Sequence, residues 1–206
     1  MPFLIKNSNR SLNKNKKGFT LIELLIVIAI LAVLMSVIII TINPAEMLRK
    51  SRDSRRVSDL DALRTALNLY LSENLNGFPS AAASYAYISV PQASAGTTTA
   101  PYCGGTGKSC YATTTASYKN IDGTGWIPIN FKGLTFAAPL SALPTDPTNS
   151  TSTSNPLYYI FCASSSLTSF ELDANFESNA YQSLKNTDGG STSTWYEIGS
   201  DLNILN

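Results

Sequence analysis

Histidine is absent from this sequence, and charged residues are scarce. The 206 residues include no His, three Cys and three Met, and only 14% are Asp, Glu, Lys or Arg. Histidine is the usual general base and the commonest metal ligand of proteins. Without it, no nucleophile–base pair stands out among the many serines. The composition therefore argues against an enzyme, and we expect no required cofactor.

Charge is scarcest between Phe19 and Ile42. The only strongly polar side chain in this segment is Glu23, and Leu, Ile and Val dominate the rest. A helix of these residues, at ~1.5 Å per residue, is about 36 Å long. The hydrocarbon core of a bilayer is ~30 Å thick. The segment therefore predicts a transmembrane helix over residues 19–42, with a long helix buried in a soluble core as the alternative.

Basic residues precede this segment and acidic residues do not. Five of the 15 Lys and Arg lie before Phe19, but none of the 14 Asp and Glu does. The positive-inside rule then places the N-terminus in the cytoplasm and the chain after Ile42 outside, although a second basic cluster at residues 49–56 weakens the difference. Without residues 1–18, ten basic and fourteen acidic groups give a formal net charge of −4, which argues against nucleic-acid binding.

The start of the chain carries a specific motif. A secretory signal has a shorter apolar core, followed by a cleavage site with small residues; here the small residue Gly18 comes first. Residues 16–34, KKGFTLIELLIVIAILAVL, resemble the N-terminal signature of type IV pilins and type II secretion pseudopilins. The resemblance implies that prepilin peptidase cleaves between Gly18 and Phe19, that Phe19 is then N-methylated, and that Glu23 is the signature acid.

Glu23 needs a physical explanation, because an ionised carboxylate in hydrocarbon costs at least ~2.5 kcal/mol and usually has a partner and a function. Two partners are open. Glu23 lies one helical turn after Phe19, so it could bond its own N-terminal ammonium or the first backbone N–H groups, where the helix dipole favours an anion. It could instead reach the ammonium of a neighbouring helix. The family resemblance implies the second, with Glu23 aligning an incoming subunit at the filament base.

The helical pattern continues beyond Pro44, where the proline predicts a bend. Residues 45–74 predict an amphipathic helix that packs one face on a globular head and ends before Gly77 and Pro79. Its apolar stripe consists of Val57, Leu60, Leu63, Ala66, Leu67, Tyr70, Leu71 and Asn74. The charged residues expected mainly off the stripe are Arg56, Asp59, Asp61 and Arg64. The basic cluster at residues 49–56 either contacts solvent and lipid headgroups or pairs with acids of neighbouring subunits.

The composition changes at about Phe78, where Ser, Thr, Gly, Ala and Tyr become frequent. Strands are predicted at LYYIFCA (157–163), FELDANFE (170–177) and TWYEIG (194–199). The alternation in FELDANFE predicts one apolar and one solvated face. Three or four antiparallel strands packed on the long helix give an α+β fold with a pilin-like head. SYAYISV (84–90) and WIPINF (126–131) add a strand or form a loop lobe, and residues 91–125 are expected to be irregular.

The cysteines predict one cross-link. Cys103 and Cys110 flank the short loop CGGTGKSC, and outside the cytoplasm such a pair is expected to form a disulfide worth about 2–3 kcal/mol. Cys162 lies in an apolar run and is expected to be a buried free thiol. A different pairing stays open.

One further segment suggests a metal. LPTDPTNS (143–150) resembles a loop of major type II pseudopilins that helps to bind calcium together with a later acidic, Gly-rich loop. By this resemblance, Asp146, Asn149 and Asp188 would supply oxygen ligands. The alternative, which we favour, is that Asp146 and Asn149 form turns by bonding their own backbone.

Together these features predict four segments: a cytoplasmic leader (1–18), a transmembrane half-helix (19–42), an amphipathic half-helix (43–76) and an extracytoplasmic head (77–206). The resemblance implies a single-pass prepilin of the inner membrane that is processed, then assembles through its N-terminal helix with other pilin copies on an assembly platform. The LPTDP segment favours a type II secretion or DNA-uptake pseudopilin. The irregular, Thr-rich lobe favours a pilus subunit, which we prefer. The alternative of another class is a membrane-anchored binding or enzymatic domain.

Overall fold

The computed structural model describes residues 18–100, 102–103, 108–135 and 137–205, apart from the side chain of Ile40. The chain divides into two units, one ending at Pro44 and the other beginning at Ala45. The predicted leader, apart from Gly18, lies outside the described residues.

The first unit is an apolar helix, α1, over Leu21–Ile42. Its 19-residue segment Leu21–Ile39 is long and apolar enough to cross a membrane, and none of this segment is buried in the unit. The hydroxyls of Ser36 and Thr41 donate to backbone carbonyls three and four residues earlier, at 2.7 and 2.9 Å. These bonds satisfy the hydroxyls inside the helix, so they need no external partner.

The expected bend at Pro44 takes the form of a break at the preceding residue. Helix α1 ends at Ile42, Asn43 has left-handed backbone angles (φ 45°, ψ 75°), and helix α2 covers Pro44–Glu73. Proline suits the first position of a helix, because the N–H that it lacks would have no intrahelical partner there. The chain therefore forms two helices where the sequence predicted one bent helix.

The second unit contains a six-stranded sheet in the described residues. The strands are β1 (Ala86–Gln92), β2 (Gly96–Thr98), β3 (Cys110–Thr114), β4 (Tyr159–Ala163), β5 (Phe170–Ala174) and β6 (Tyr196–Gly199), with a short helix α3 at Ala81–Ser84. Their order is β2-β3-β1-β4-β5-β6. All neighbours are antiparallel except β1 and β3, which are parallel. This confirms the α+β fold, with more strands and one parallel pair beyond the prediction.

Residues 91–125 differ from expectation, and the two alternatives for WIPINF are resolved. Strands β2 and β3 lie within residues 91–125, which were expected to be irregular; their Thr-rich sequence has no alternation, and pairing with β1 holds them in the sheet. WIPINF forms no strand. Its Ile127 and Ile129 are fully buried, but Pro128 between them cannot donate to a strand ladder.

Helix α2 confirms the predicted apolar stripe. Leu60, Leu63 and Leu67 are fully buried in one cluster with residues of β4 and β5. The stripe continues toward the start of the helix with two charged residues, Asp53 and Arg56, which are also fully buried. The expectation that Arg56 lies off the stripe was therefore wrong. Arg56 precedes Leu60 by four residues and thus shares its face of the helix.

The sheet is covered on both faces. Glu171 and Asp173 of β5 are fully buried, so the expected solvated face of this strand was wrong. That face belongs to a second apolar cluster, which contains Ile88, Cys103, Cys110, Tyr158, Ile160, Cys162, Trp195 and Leu205. The alternation in β5 thus separates an apolar buried face from an acidic buried face. The Cys103–Cys110 disulfide is confirmed, and Cys162 is a buried free thiol.

The core role of α2 is open to a matched test. Leu63→Ala should lower the free energy of unfolding by about 2–5 kcal/mol, because it removes a fully buried side chain. Leu75→Ala makes the same chemical change at a residue that is 92% exposed, and should stay within about 0.5 kcal/mol of the unmodified chain. Denaturation of the detergent-solubilised full chain, followed by fluorescence of the buried Trp126 and Trp195, measures both. Equal losses would contradict the packing described.

Candidate processing and assembly site

The start of α1 is closed by a reciprocal pair of side chains. Oε2 of Glu23 accepts the backbone N–H of Thr20 and its hydroxyl, both at 2.8 Å. The hydroxyl oxygen of Thr20 in turn accepts the backbone N–H of Glu23 at 3.3 Å. This capping box satisfies two N–H groups that have no intrahelical partner and places a carboxylate at the positive end of the helix dipole. The signature acid is therefore also a helix-capping residue.

The sequence left two partners open for Glu23. In the structure, Glu23 binds a backbone N–H group at the start of its own helix. Both bonds that Glu23 accepts from Thr20 use Oε2. Oε1 has no hydrogen-bond partner among the described residues. One oxygen of the carboxylate is thus occupied within the helix, and the other is open to a group from outside it.

The bond between Gly18 and Phe19 is accessible. Both residues are exposed, and Phe19 keeps 83% of its surface. No atom lies within 4 Å of the position that a Cβ would take at Gly18. A peptidase could approach this bond without moving any other described part of the chain.

A second polar arrangement, in the other unit, fixes α2 to the head. The Arg56 guanidinium binds Asp146 through two hydrogen bonds, at 2.5 and 2.9 Å. It also contacts Asp53 at 2.6 Å and Glu177 at 2.7 Å. Arg52 binds the same Glu177 through two hydrogen bonds, at 2.9 and 2.6 Å. We call these five residues the arginine network.

The arginine network joins three distant parts of the sequence. Asp146 belongs to the LPTDP loop, and Glu177 follows β5. Asp53 accepts the backbone N–H groups of Glu177 and Ser178, the latter at 2.7 Å. The hydrogen bond from Arg52, together with the Arg56 guanidinium, lowers the pKa of Glu177 to about 2. The carboxylate therefore stays ionised over the whole neutral and mildly acidic range.

The residues considered for calcium are occupied by protein donors. Asp146 binds Arg56 and accepts the backbone N–H of Asn149 at 3.1 Å, as a turn-forming residue does. The side-chain oxygen of Asn149 accepts the Ser89 hydroxyl at 2.7 Å. Asp188 accepts two backbone N–H groups, one of them from Glu197. Nowhere in the described part of the chain do three or more His, Cys, Asp or Glu form a group that could hold a metal, and a calcium site stays a prediction.

The basic cluster at residues 49–56 has a role that neither earlier interpretation included. Arg52 and Arg56 pair inside their own unit. Arg49 and Arg55 make longer surface pairs with acids of α2, at 3.7 and 3.6 Å. The sequence contained one indication of this role. Arg56 lies four residues before Leu60, and this spacing places a basic residue on the buried face of the helix.

One comparison with known proteins gives a match. Residues 13–39 match the family described as the prokaryotic N-terminal methylation motif, the signature of type IV pilins and pseudopilins. The match covers the predicted cleavage region and most of α1, and it does not reach the head. No curated protein and no solved structure matches the chain.

The arginine network predicts a large effect of one substitution. Arg56→Met should cost about 3–5 kcal/mol of stability, because it leaves buried carboxylates without their counter-charge. Arg55→Met changes the adjacent arginine, whose side chain is 67% exposed, and should cost at most about 1 kcal/mol. Guanidinium denaturation of the two variants measures the difference. Similar costs would show that the network does not anchor the helix.

Acid should weaken the same network. Because the pKa of Glu177 is lower in the folded chain than its ordinary value of 4.5, its contribution is complete above pH 4.5 and is lost as the pH falls toward about 2. Glu177→Gln should therefore reduce the loss of stability over that range, whereas Asp61→Asn, at an exposed ion pair, should leave it unchanged. Thermal melts between pH 5 and pH 2 test this. Unaltered acid sensitivity in Glu177→Gln would contradict the assignment.

Proposed function

We propose that this chain, which carries the prepilin methylation signature, is a structural subunit of a type IV pilus-like filament. The observation that carries the proposal is the exposed apolar surface of α1 directly after the signature glycine. In this proposal the chain enters the inner membrane once, with its N-terminus in the cytoplasm. Prepilin peptidase cleaves between Gly18 and Phe19, and Phe19 is then N-methylated.

The exposed apolar surface of α1 needs an apolar environment. Its side chains are apolar almost throughout, and even Val27, among the less exposed of them, keeps 46% of its surface. Apolar area of this extent is stable only in lipid or against other apolar surfaces. Lipid covers the helix in the membrane, and α1 helices of other subunits cover it in the filament. The amphipathic half-helix (43–76) and the head (77–206) remain outside the cytoplasm.

Glu23 gives this assembly its alignment. In the uncleaved chain its Oε2 is engaged by Thr20, which lessens the cost of a carboxylate near hydrocarbon. Cleavage creates a free ammonium at Phe19. The open Oε1 of one subunit then pairs with the Phe19 ammonium of the next. A charge pair in a low-dielectric environment is strongly distance-dependent, so it favours a single axial offset between neighbouring helices.

A pseudopilin of type II secretion or DNA uptake is the second candidate, and the LPTDP segment favours it. In this chain Asp146 of that segment binds Arg56. This contact stabilises the fold and would serve a pilus subunit and a pseudopilus subunit equally. Both candidates need the same processing by prepilin peptidase, the same partner helices and an assembly platform.

The assembly role of Glu23 can be separated from membrane insertion. Glu23→Val should leave the chain in the membrane fraction, because it makes α1 more apolar, and should strongly reduce filaments sheared from the cell surface. Ser36→Ala is the matched control in the same helix, since that hydroxyl is satisfied by its own backbone, and should assemble normally. Immunoblots of membrane and sheared fractions, with electron microscopy, measure both steps. Normal filaments from Glu23→Val would refute the proposed pairing.

A further inference from the structure

Three carboxylic acids lie together on the covered face of the sheet. Asp173 of β5 is paired directly opposite Glu197 of β6, and Glu171 precedes Asp173 by two residues on the same face. The side chains of Glu171 and Asp173 are fully buried, and Glu197 is 1% exposed. Among the described residues, no Lys or Arg forms an ion pair with any of the three. We call them the acid cluster.

Two members of the acid cluster have donors. Glu197 accepts the backbone N–H groups of Ser191 and Thr192 at 2.7 and 2.9 Å, and the Thr192 hydroxyl at 2.6 Å. Oε2 of Glu171 accepts the backbone N–H groups of Ile204 and Leu205, at 2.7 and 3.0 Å. Glu171 therefore holds the C-terminal segment, residues 201–205, onto the head.

Asp173 has no such donor. Among the described residues, neither of its carboxylate oxygens has a hydrogen-bond partner, and Oε1 of Glu171 has none either. An ionised Asp173 would be a fully buried charge between two other carboxylates, with no donor to compensate it, and such a charge is very costly. Asp173 and Glu171 are neighbours on the same face of β5, and a single proton between them would turn two unpartnered oxygens into a donor and an acceptor.

We propose that Asp173 is protonated at neutral pH and donates its proton to Oε1 of Glu171, and that this shared proton keeps the C-terminal segment closed on the head. The proton removes one charge from the acid cluster. It also fixes the Glu171 carboxylate in the position from which it accepts the N–H groups of Ile204 and Leu205. Ionisation of the pair places like charges in contact beneath the segment and opens it.

The surroundings of the pair favour its protonated form. Burial, and then the charges of Glu171 and Glu197, raise the pKa of Asp173 well above its ordinary range, and burial raises the pKa of Glu171 to about 7. Asp188 adds a further negative charge. Among the described residues, the pair also faces Tyr102, Tyr158 and Cys162. Lys108 donates to the Cys162 sulfur at 3.0 Å.

The closed form of the C-terminal segment should become less stable as the pH rises. The folded chain keeps the shared proton to higher pH than the unfolded chain, so stability of the closed form falls as the pH rises above about 4. The fall continues through about 7 and ends only when both carboxyls are ionised in the folded chain too. This dependence has the opposite sign to that of Glu177, whose contribution changes at lower pH, between 4.5 and about 2.

The test compares the detergent-solubilised full chain with Asp173→Asn, which keeps the size of the side chain and donates to Glu171 without titrating. Amide exchange of Ile204 and Leu205, corrected for the intrinsic rate, is measured between pH 6 and pH 9. In the unmodified chain, protection should fall by up to about tenfold per pH unit, and in Asp173→Asn it should stay constant. Asp201→Asn, in the same segment, should behave like the unmodified chain.

Infrared spectroscopy supplies a readout that a purely structural role would not change. At pH 7 the unmodified chain should have the carbonyl band of a buried protonated carboxyl group, and Asp173→Asn should lack it. Absence of the band from the unmodified chain, or equal loss of protection in both chains at high pH, would overturn the proposal.

Discussion

The structure of this protein depends first on the need to keep α1 away from water. The helix places apolar side chains on all sides, and none of Leu21–Ile39 is buried in its own unit. Apolar surface is worth about 25 cal/mol per Å² when it is removed from water, so such a helix is stable only in lipid or against other apolar surface. The position of Glu23 follows from the same constraint. A carboxylate at this place is tolerated because the N–H and hydroxyl of Thr20 donate to its Oε2; its Oε1 has no hydrogen-bond partner among the described residues, and in the proposed function this oxygen pairs with a neighbouring subunit.

The second unit differs from α1, because it buries charged residues. Toward the end of α2 the buried stripe consists of leucines, but near its start the stripe consists of Asp53 and Arg56. Buried ion pairs add little net stability, but an unpaired member of such a pair is strongly destabilising. The arginine network therefore specifies one position of α2 against the loops that carry Asp146 and Glu177. Apolar contacts alone would tolerate small shifts along the helix.

Local patterns in the sequence predicted the apolar helix, the stripe on α2, the disulfide, and strands β4, β5 and β6, because each depends on residues close together in the chain. The misses depend on distant residues. Arg56 and Asp146 are 90 positions apart, and β2 and β3 are strands only because β1 pairs with β3. The alternation in β5 was recognised, but its polar face is buried by Trp195 and Leu205, which no local pattern reveals. At the candidate site, the N-terminal motif predicted the roles of Gly18, Phe19 and Glu23. The capping box between Thr20 and Glu23 was recognised only in the structure.

In the proposed function α1 is retained after processing and becomes the part of the chain that contacts other subunits. Mass spectrometry of the N-terminal peptide from the mature protein can establish whether α1 is retained. We expect a peptide that begins with N-methylated Phe19 and continues into Thr20 and Leu21. A mature chain that still begins at Met1, or one that begins after Ile42, would contradict it.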